Sequence, residues 1–123
     1  MTAAPMHRFE PDRLAALRSY GVLDTPPDPA IDAVAAAAAK ALNAPVALVS
    51  LLDENRQWFK AAAGLQAALG REVRETPRAV SFCAHVVAQE APILVPDATR
   101  DARFADNELV TGPEPYGSTL ARR

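Results

Sequence analysis

Apolar and polar positions near the start of the chain predict a first helix. Leu14 and Leu17 lie three residues apart, the spacing of one helical face. Pro11 suits the first turn of a helix, and Gly21 is typical of the residue that follows a helix end. The pattern therefore predicts a short helix between Pro11 and Gly21.

A second helix is predicted from Pro29 to about Leu42. Asp28 is a good N-cap, proline is favoured at the first helical position, and the alanines that follow have the highest helix propensity. The predicted apolar face consists of Ile31, Val34, Ala35, Ala38 and Leu42.

The middle of the chain changes to a pattern typical of strands. The run Val46 to Leu52 is apolar and is bounded by a proline and a polar turn, which indicates a buried strand. The run Gln57 to Ala63 mixes aromatic and polar residues after that turn and predicts an antiparallel partner. A third short strand is predicted at Ile93 to Val95, between two prolines.

The remaining segments are less regular. One helical turn is predicted at residues 66–69 and a charged loop at 71–76. Ser81 is a predicted N-cap for a helix through Gln89, and residues 97–116 are loop-like, with one helical turn at 107–110. The order of helices and strands predicts an α+β fold with an antiparallel sheet.

Composition excludes several classes of protein. The 123 residues suit one domain, and half of them are hydrophobic, so a buried core is expected. Thirteen basic and fifteen acidic residues give a net charge of -2, which argues against a nucleic-acid partner bound through a basic surface. A single cysteine excludes an intramolecular disulfide, and we expect no metal site, no membrane span and a cytoplasmic location.

Several segments together resemble a GAF domain, a sensory module of bacterial signalling proteins. They occur in the family's order and cover most of residues 13–112. The segments that carry the resemblance are RLAAL at 13–17, GVLDTPPD at 21–28, VALVSLLD at 46–53, RQWFK at 56–60, ETPR at 75–78, SFCAH at 81–85 and DATRDARFADN at 97–107.

The resemblance implies a GAF/PAS-like antiparallel sheet flanked by helices, with a ligand pocket on one face. It also implies sensing without catalysis: an unidentified small molecule binds, and the signal passes to an output domain. The most similar members resemble the input domains of sensor histidine kinases and diguanylate cyclases, so a two-component system and a homodimer are further expectations. Family resemblance alone names neither the ligand nor a cofactor.

The chain departs from the family pattern in two places. Residues 66–70 look like an insertion, and the chain stops before the family's last strands and closing helix. Its last seven residues, GSTLARR, stand where relatives carry a strand of the type RFYAGAP. The coding CGG TTC TAC GCT GGC GCG CCG C, which specifies RFYAGAP, specifies GSTLARR when its first C is omitted. We therefore expect a disordered segment at 1–9, a partial GAF domain at 10–116 and a frameshifted tail at 117–123.

Cys83 and His85 invite a chemical interpretation, because an imidazole can activate a nearby thiol. Residues two apart on a helix point about 200° from each other, so the two side chains are not expected to meet. The favoured interpretation is a buried structural cysteine and a hydrogen-bonded histidine. A redox-sensing module that uses Cys83 is kept as an alternative, and a dimerisation or interaction domain is another.

Other candidate ligand contacts come from the loop after residue 96 and from the second strand. Asp97 and Arg103 belong to a charged loop whose aspartates lack the spacing of an EF-hand, so stabilisation of turns is the favoured role. Trp58 and its neighbour Phe59 are expected to point to opposite faces of the sheet, one toward the core and the other toward solvent or a partner. The predicted ligand-binding residues are Trp58, Phe82, Cys83, His85, Asp97, Arg103 and Phe104.

Overall fold

The computed structural model describes residues 4–105 and shows an α+β fold, as predicted. In chain order the elements are α1 (Glu10–Ser19), α2 (Pro29–Ala41), β1 (Ala47–Leu52), β2 (Arg56–Ala63), α3 (Leu65–Leu69), β3 (Glu75–Pro77) and α4 (Cys83–Gln89). Two 3-10 turns, Arg78–Val80 and Ala98–Arg100, lie before and after α4. The helical turn predicted at 107–110 and the tail at 117–123 lie outside the described residues.

The ends of the first two helices follow the predicted signals. Pro11 lies in the first turn of α1, and Gly21 adopts a positive φ just after the helix. The side chain of Asp28 accepts a hydrogen bond of 2.8 Å from the backbone N–H of Ala30. Asp28 is therefore the N-cap of α2, as predicted from its position before Pro29.

The buried face of α2 differs from the prediction. Ala35 is buried and Ile31 and Ala39 are half-buried, which places the inward face at a spacing of four residues. Val34 and Leu42, which were predicted to be inward, are 62% and 77% exposed. Because nearly every residue of α2 is apolar, the sequence does not distinguish the inward face from the outward one.

The sheet has the order β1-β2-β3 and is antiparallel throughout. Ala47 pairs with Ala63 at one end of the β1–β2 hairpin. The register shifts between Val49 and Ser50, so Lys60 lies in a bulge of β2. Strand β3 pairs Thr76 with Gln57, which corrects the loop predicted at 71–76.

Both faces of β2 are covered. Gln57, Trp58 and Phe59 are buried in succession, at 6%, 3% and 5% exposure. Because successive side chains of a strand point to opposite faces, this run requires cover on both faces of the sheet. Trp58 and Phe59 therefore point to opposite faces, as expected, but neither of them faces solvent.

The predicted strand at Ile93 to Val95 is wrong as well. These residues have no regular secondary structure, and Leu94 is 86% exposed. Two flanking prolines remove backbone donors, and a strand of three residues needs a paired neighbour, which residues 4–105 do not supply. Val95 packs instead against the buried residues Ala98 and Phe104.

Helix α1 is joined to the β1–β2 turn by a network of two arginines around Glu10. The Glu10 carboxylate accepts hydrogen bonds from Arg13 at 2.7 and 2.8 Å and from Arg78 at 2.7 Å. Arg13 also donates to the carbonyl of Leu52 at 2.7 Å, and Arg78 donates to that of Asp53 at 3.1 Å. These contacts fix the orientation of α1 against the end of the sheet.

The chain before α1 contacts α4. His7 Nε2 lies 2.8 Å from Glu90 Oε1, and Arg8 lies 3.2 Å from the other oxygen of that carboxylate.

Within residues 4–105 no helix is long and apolar enough to cross a lipid bilayer.

Candidate functional site

Three aromatic rings from α4 and the loop after it form one cluster. Phe82 precedes α4, His85 lies on it, and Phe104 follows the second 3-10 turn. The Phe82 and Phe104 rings stack with centroids 4.0 Å apart, and the His85 ring meets Phe104 edge-on at 5.0 Å. Phe104 is fully buried. We call these three residues the aromatic cluster; all three belong to the predicted site.

One ring nitrogen of His85 is a buried polar atom in this cluster. Its Nε2 is buried and has no hydrogen-bond partner within the described part of the chain. Burial lowers the pKa of His85, the charge of Arg103 lowers it further, and Asp101 opposes the shift. The imidazole is therefore neutral at pH 7, and a neutral imidazole offers one donor and one acceptor nitrogen.

Arg103 closes one side of the cluster, with its guanidinium 5.1 Å from the centre of the Phe104 ring. Asp101 accepts from the Arg103 side chain at 2.8 and 3.0 Å and from its backbone N–H at 2.9 Å. These hydrogen bonds lower the pKa of Asp101 to about 2. The paired carboxylate holds Arg103 in place beside the Phe104 ring.

Asp97 has a local role in the same loop. Its carboxylate accepts a hydrogen bond of 3.0 Å from the backbone N–H of Thr99 and another from the Thr99 hydroxyl. Asp97 therefore caps the 3-10 turn at Ala98–Arg100, the turn-stabilising role favoured for these aspartates. Within residues 4–105 no group of three metal-ligating side chains comes together.

Cys83 and His85 contact different parts of the molecule. Cys83 Sγ lies 3.6 Å from the Ser50 hydroxyl on β1, whereas His85 packs against Phe104. Cys83 is half-buried. The two side chains thus have separate surroundings, in agreement with their spacing of two residues.

Trp58 is separated from the aromatic cluster. It is buried in β2, opposite Leu51 of β1 and Glu75 of β3. Within residues 4–105 its ring makes no stacking or edge contact with the cluster. The structure therefore places Trp58 in the sheet core, while the cluster contains four of the seven predicted residues once Arg103 is included.

A buried contact that was not predicted from the sequence attaches α4 to the sheet. The Ser81 hydroxyl donates to Gln57 Oε1 on β2 and accepts from the backbone N–H of Ala84 at 3.2 Å. Ser81 was predicted as the N-cap of this helix, but the helix begins at Cys83 and Phe82 occupies the N-cap position. The Ser81 hydroxyl still contacts the first turn of α4 from one residue further back. A polar residue directly before the two aromatic residues of β2 was the available signal for Gln57.

One curated relative matches nearly the whole chain. A cyclic di-GMP phosphodiesterase of Pseudomonas aeruginosa is 38% identical over 112 residues, which cover 91% of the chain and 18% of that protein. The chain thus spans less than a fifth of this relative's length.

A family model matches as well. The model of the GAF domain aligns with residues 26–121, well over half of the chain, and its match includes α2, the sheet, α4 and the aromatic cluster. GAF domains are generally non-catalytic modules that sense small molecules in signalling proteins. The chain therefore belongs to the GAF domain family.

Proposed function

We propose that this GAF domain is a sensory input module that binds a small organic molecule beside His85. The observation that carries the proposal is the buried Nε2 atom of His85, which has no partner within residues 4–105. A buried polar atom that lacks a hydrogen bond costs about 1–3 kcal/mol. A ligand that supplies the missing partner therefore gains affinity at this position.

The surroundings of Nε2 favour a flat ligand with polar ring atoms. Phe82 and Phe104 offer aromatic surfaces, and Arg103 places a cation beside them. A planar heteroaromatic ring can stack on phenylalanine and also present a donor or acceptor to the imidazole. Purine-like rings combine both properties.

Access to Nε2 requires Phe104 to move, because that ring is fully buried against His85. Phe104 belongs to the same loop as Asp101 and Arg103, and the Arg103 guanidinium lies over its ring. We propose that displacement of Phe104 by the ligand moves this loop, and that the movement of the loop relays the signal.

The output that receives this signal belongs to a larger protein. Because a relative is named a cyclic di-GMP phosphodiesterase, we propose an output domain that acts in cyclic di-GMP turnover. The histidine kinase and diguanylate cyclase outputs, the homodimer and the cytoplasmic location stay predictions from the sequence.

A thermal-shift experiment tests the ligand site. The probes are adenine, guanine and their cyclic mononucleotides, added to the protein that carries this domain. We expect at least one probe to raise the melting temperature, and His85→Phe to abolish that shift because it keeps an aromatic ring but removes both nitrogens. His7→Phe is the matched control, since the chain has only two histidines and His7 lies outside the aromatic cluster. Equal shifts in both variants, or no shift with any probe, would contradict the proposal.

A further inference from the structure

A cleft of about 280 Å³ lies between α2 and β2 and shares no lining residue with the aromatic cluster. Its floor is apolar, because Phe59, Ala61 and Leu65 line it and are each at most 5% exposed. Pockets for drug-sized ligands occupy about 300–1,000 Å³. The cleft therefore suits a smaller molecule that has an apolar part.

Lys60 lines this cleft, and its ammonium lies at the end of the cleft that is formed by the chain next to Pro27. It lies in the bulge of β2, and bulges commonly redirect a side chain next to a binding site. Its ammonium donates to Thr25 Oγ1 at 2.8 Å and to the carbonyl of Pro26 at 2.7 Å. Both acceptors are neutral, an ammonium has three donors, and within residues 4–105 no carboxylate forms an ion pair with Lys60. The charge is thus half-buried and uncompensated by the described part of the chain.

Asp32 places a negative charge on the α2 wall of the same cleft. In the described range 4–105 its carboxylate has no cationic partner within ion-pair distance. The other two charged residues of the lining, Glu72 and Arg74, pair with each other at 2.9 Å. Within the described residues, the cleft therefore presents one cation on β2 and one anion on α2 that have no ion-pair partner.

We propose that this cleft binds a small zwitterion, namely an α-amino acid with an aliphatic side chain. The ligand's carboxylate would pair with Lys60, its ammonium with Asp32, and its side chain would pack on Phe59 and Leu65. A ligand with a carboxylate alone leaves Asp32 unpaired, and one with an amine alone leaves Lys60 unpaired. The site goes beyond the proposed function, which concerns the aromatic cluster.

Isothermal titration calorimetry with three matched probes tests this inference on the protein that carries the domain. L-leucine has both charges, 4-methylpentanoate has only the carboxylate and 3-methylbutylamine only the ammonium. We expect leucine to bind and the two analogues to bind at least about tenfold more weakly, because each leaves one charge of the cleft without a partner. Asp32→Asn should weaken leucine binding by about tenfold or more.

Two further variants keep the test decisive. Asp12→Asn is the matched control, because Asp12 occupies the first turn of α1 as Asp32 occupies that of α2. It should bind leucine like the unchanged protein, and so should His85→Phe. Loss of leucine binding in His85→Phe would place the ligand at the aromatic cluster and overturn the inference. No binding at millimolar leucine, equal binding of the three probes, or unchanged binding in Asp32→Asn would also overturn it.

Discussion

Glu10→Gln tests the network that holds α1 against the sheet. The side chains of Glu10 and Arg78 are only 13% and 10% exposed, and their atoms lie 2.7 Å apart. The pKa of Glu10 is lowered from 4.5 to about 2, mainly by hydrogen bonds from Arg13. Burial opposes this shift, and Arg78 contributes to it. Glutamine keeps the shape of the side chain but removes the charge that both arginines contact.

The pKa shift of Glu10 limits how much unfolding free energy Glu10→Gln can remove. One pKa unit corresponds to about 1.36 kcal/mol, so a shift from 4.5 to about 2 gives an upper bound of about 3 kcal/mol. Solvent reaches part of the network and screens it, which reduces the expected loss of unfolding free energy to about 1–2 kcal/mol at pH 7. Because the folded pKa is the lower one, this contribution is complete above about pH 4.5 and is lost as the pH falls toward about 2.

Urea unfolding followed by circular dichroism at pH 7 and pH 3 measures the loss of unfolding free energy and its dependence on pH. The control is Glu54→Gln, because Glu54 also pairs with an arginine, at 3.2 Å, but is 63% exposed. An exposed pair of this kind contributes about 0–1 kcal/mol. A loss of stability in Glu10→Gln no larger than in this control would contradict a stabilising role for the network. So would a difference between Glu10→Gln and the unchanged protein that is as large at pH 3 as at pH 7.

Four further substitutions test the local structure by the same unfolding measurement. Asp28→Ala should cost about 0.5–2 kcal/mol through loss of the α2 cap, and a change within error would show that another residue caps the helix. Gly64→Ala should cost roughly 2–4 kcal/mol, because φ is +79° and a Cβ would lie 2.0 Å from the Pro45 carbonyl oxygen. Gly70→Ala, at φ +72° with no atom within 4 Å, should cost only about 1–2 kcal/mol, so equal losses would contradict the steric argument. Cys83→Ala should cost about 1 kcal/mol and leave any ligand response intact, whereas a lost response at unchanged stability would favour the redox alternative.

The elements that were predicted correctly are those encoded by local signals. Asp28 followed by a proline and an alanine-rich run specifies a capped helix through backbone chemistry alone. The hairpin of β1 and β2 follows from an apolar run and a run of aromatic and polar residues, separated by a polar turn. In both cases the residues that determine the element lie within or directly beside it.

The elements that were predicted wrongly depend on distant partners. Strand β3 has only three residues and exists through its pairing with Gln57 and its neighbours. The segment Ile93–Val95 has a better strand composition than β3, yet it has no paired neighbour within residues 4–105. Strand propensity is largely a measure of fit to neighbouring strands, so composition alone ranks these two segments in the wrong order.

The two candidate sites differ in how far the sequence reveals them. Resemblance to a family identified Phe82, His85 and Phe104 as candidates, although it gave no distances between them. It also included Trp58, which is buried in the core of the sheet. Lys60 was absent from that set because its position depends on a bulge, and a bulge arises from the register of two strands rather than from residue type. Whether a charged side chain has an ion-pair partner likewise depends on which residues lie near it in the folded structure. The cleft beside α2 therefore becomes visible only when the register and the ion pairs are known.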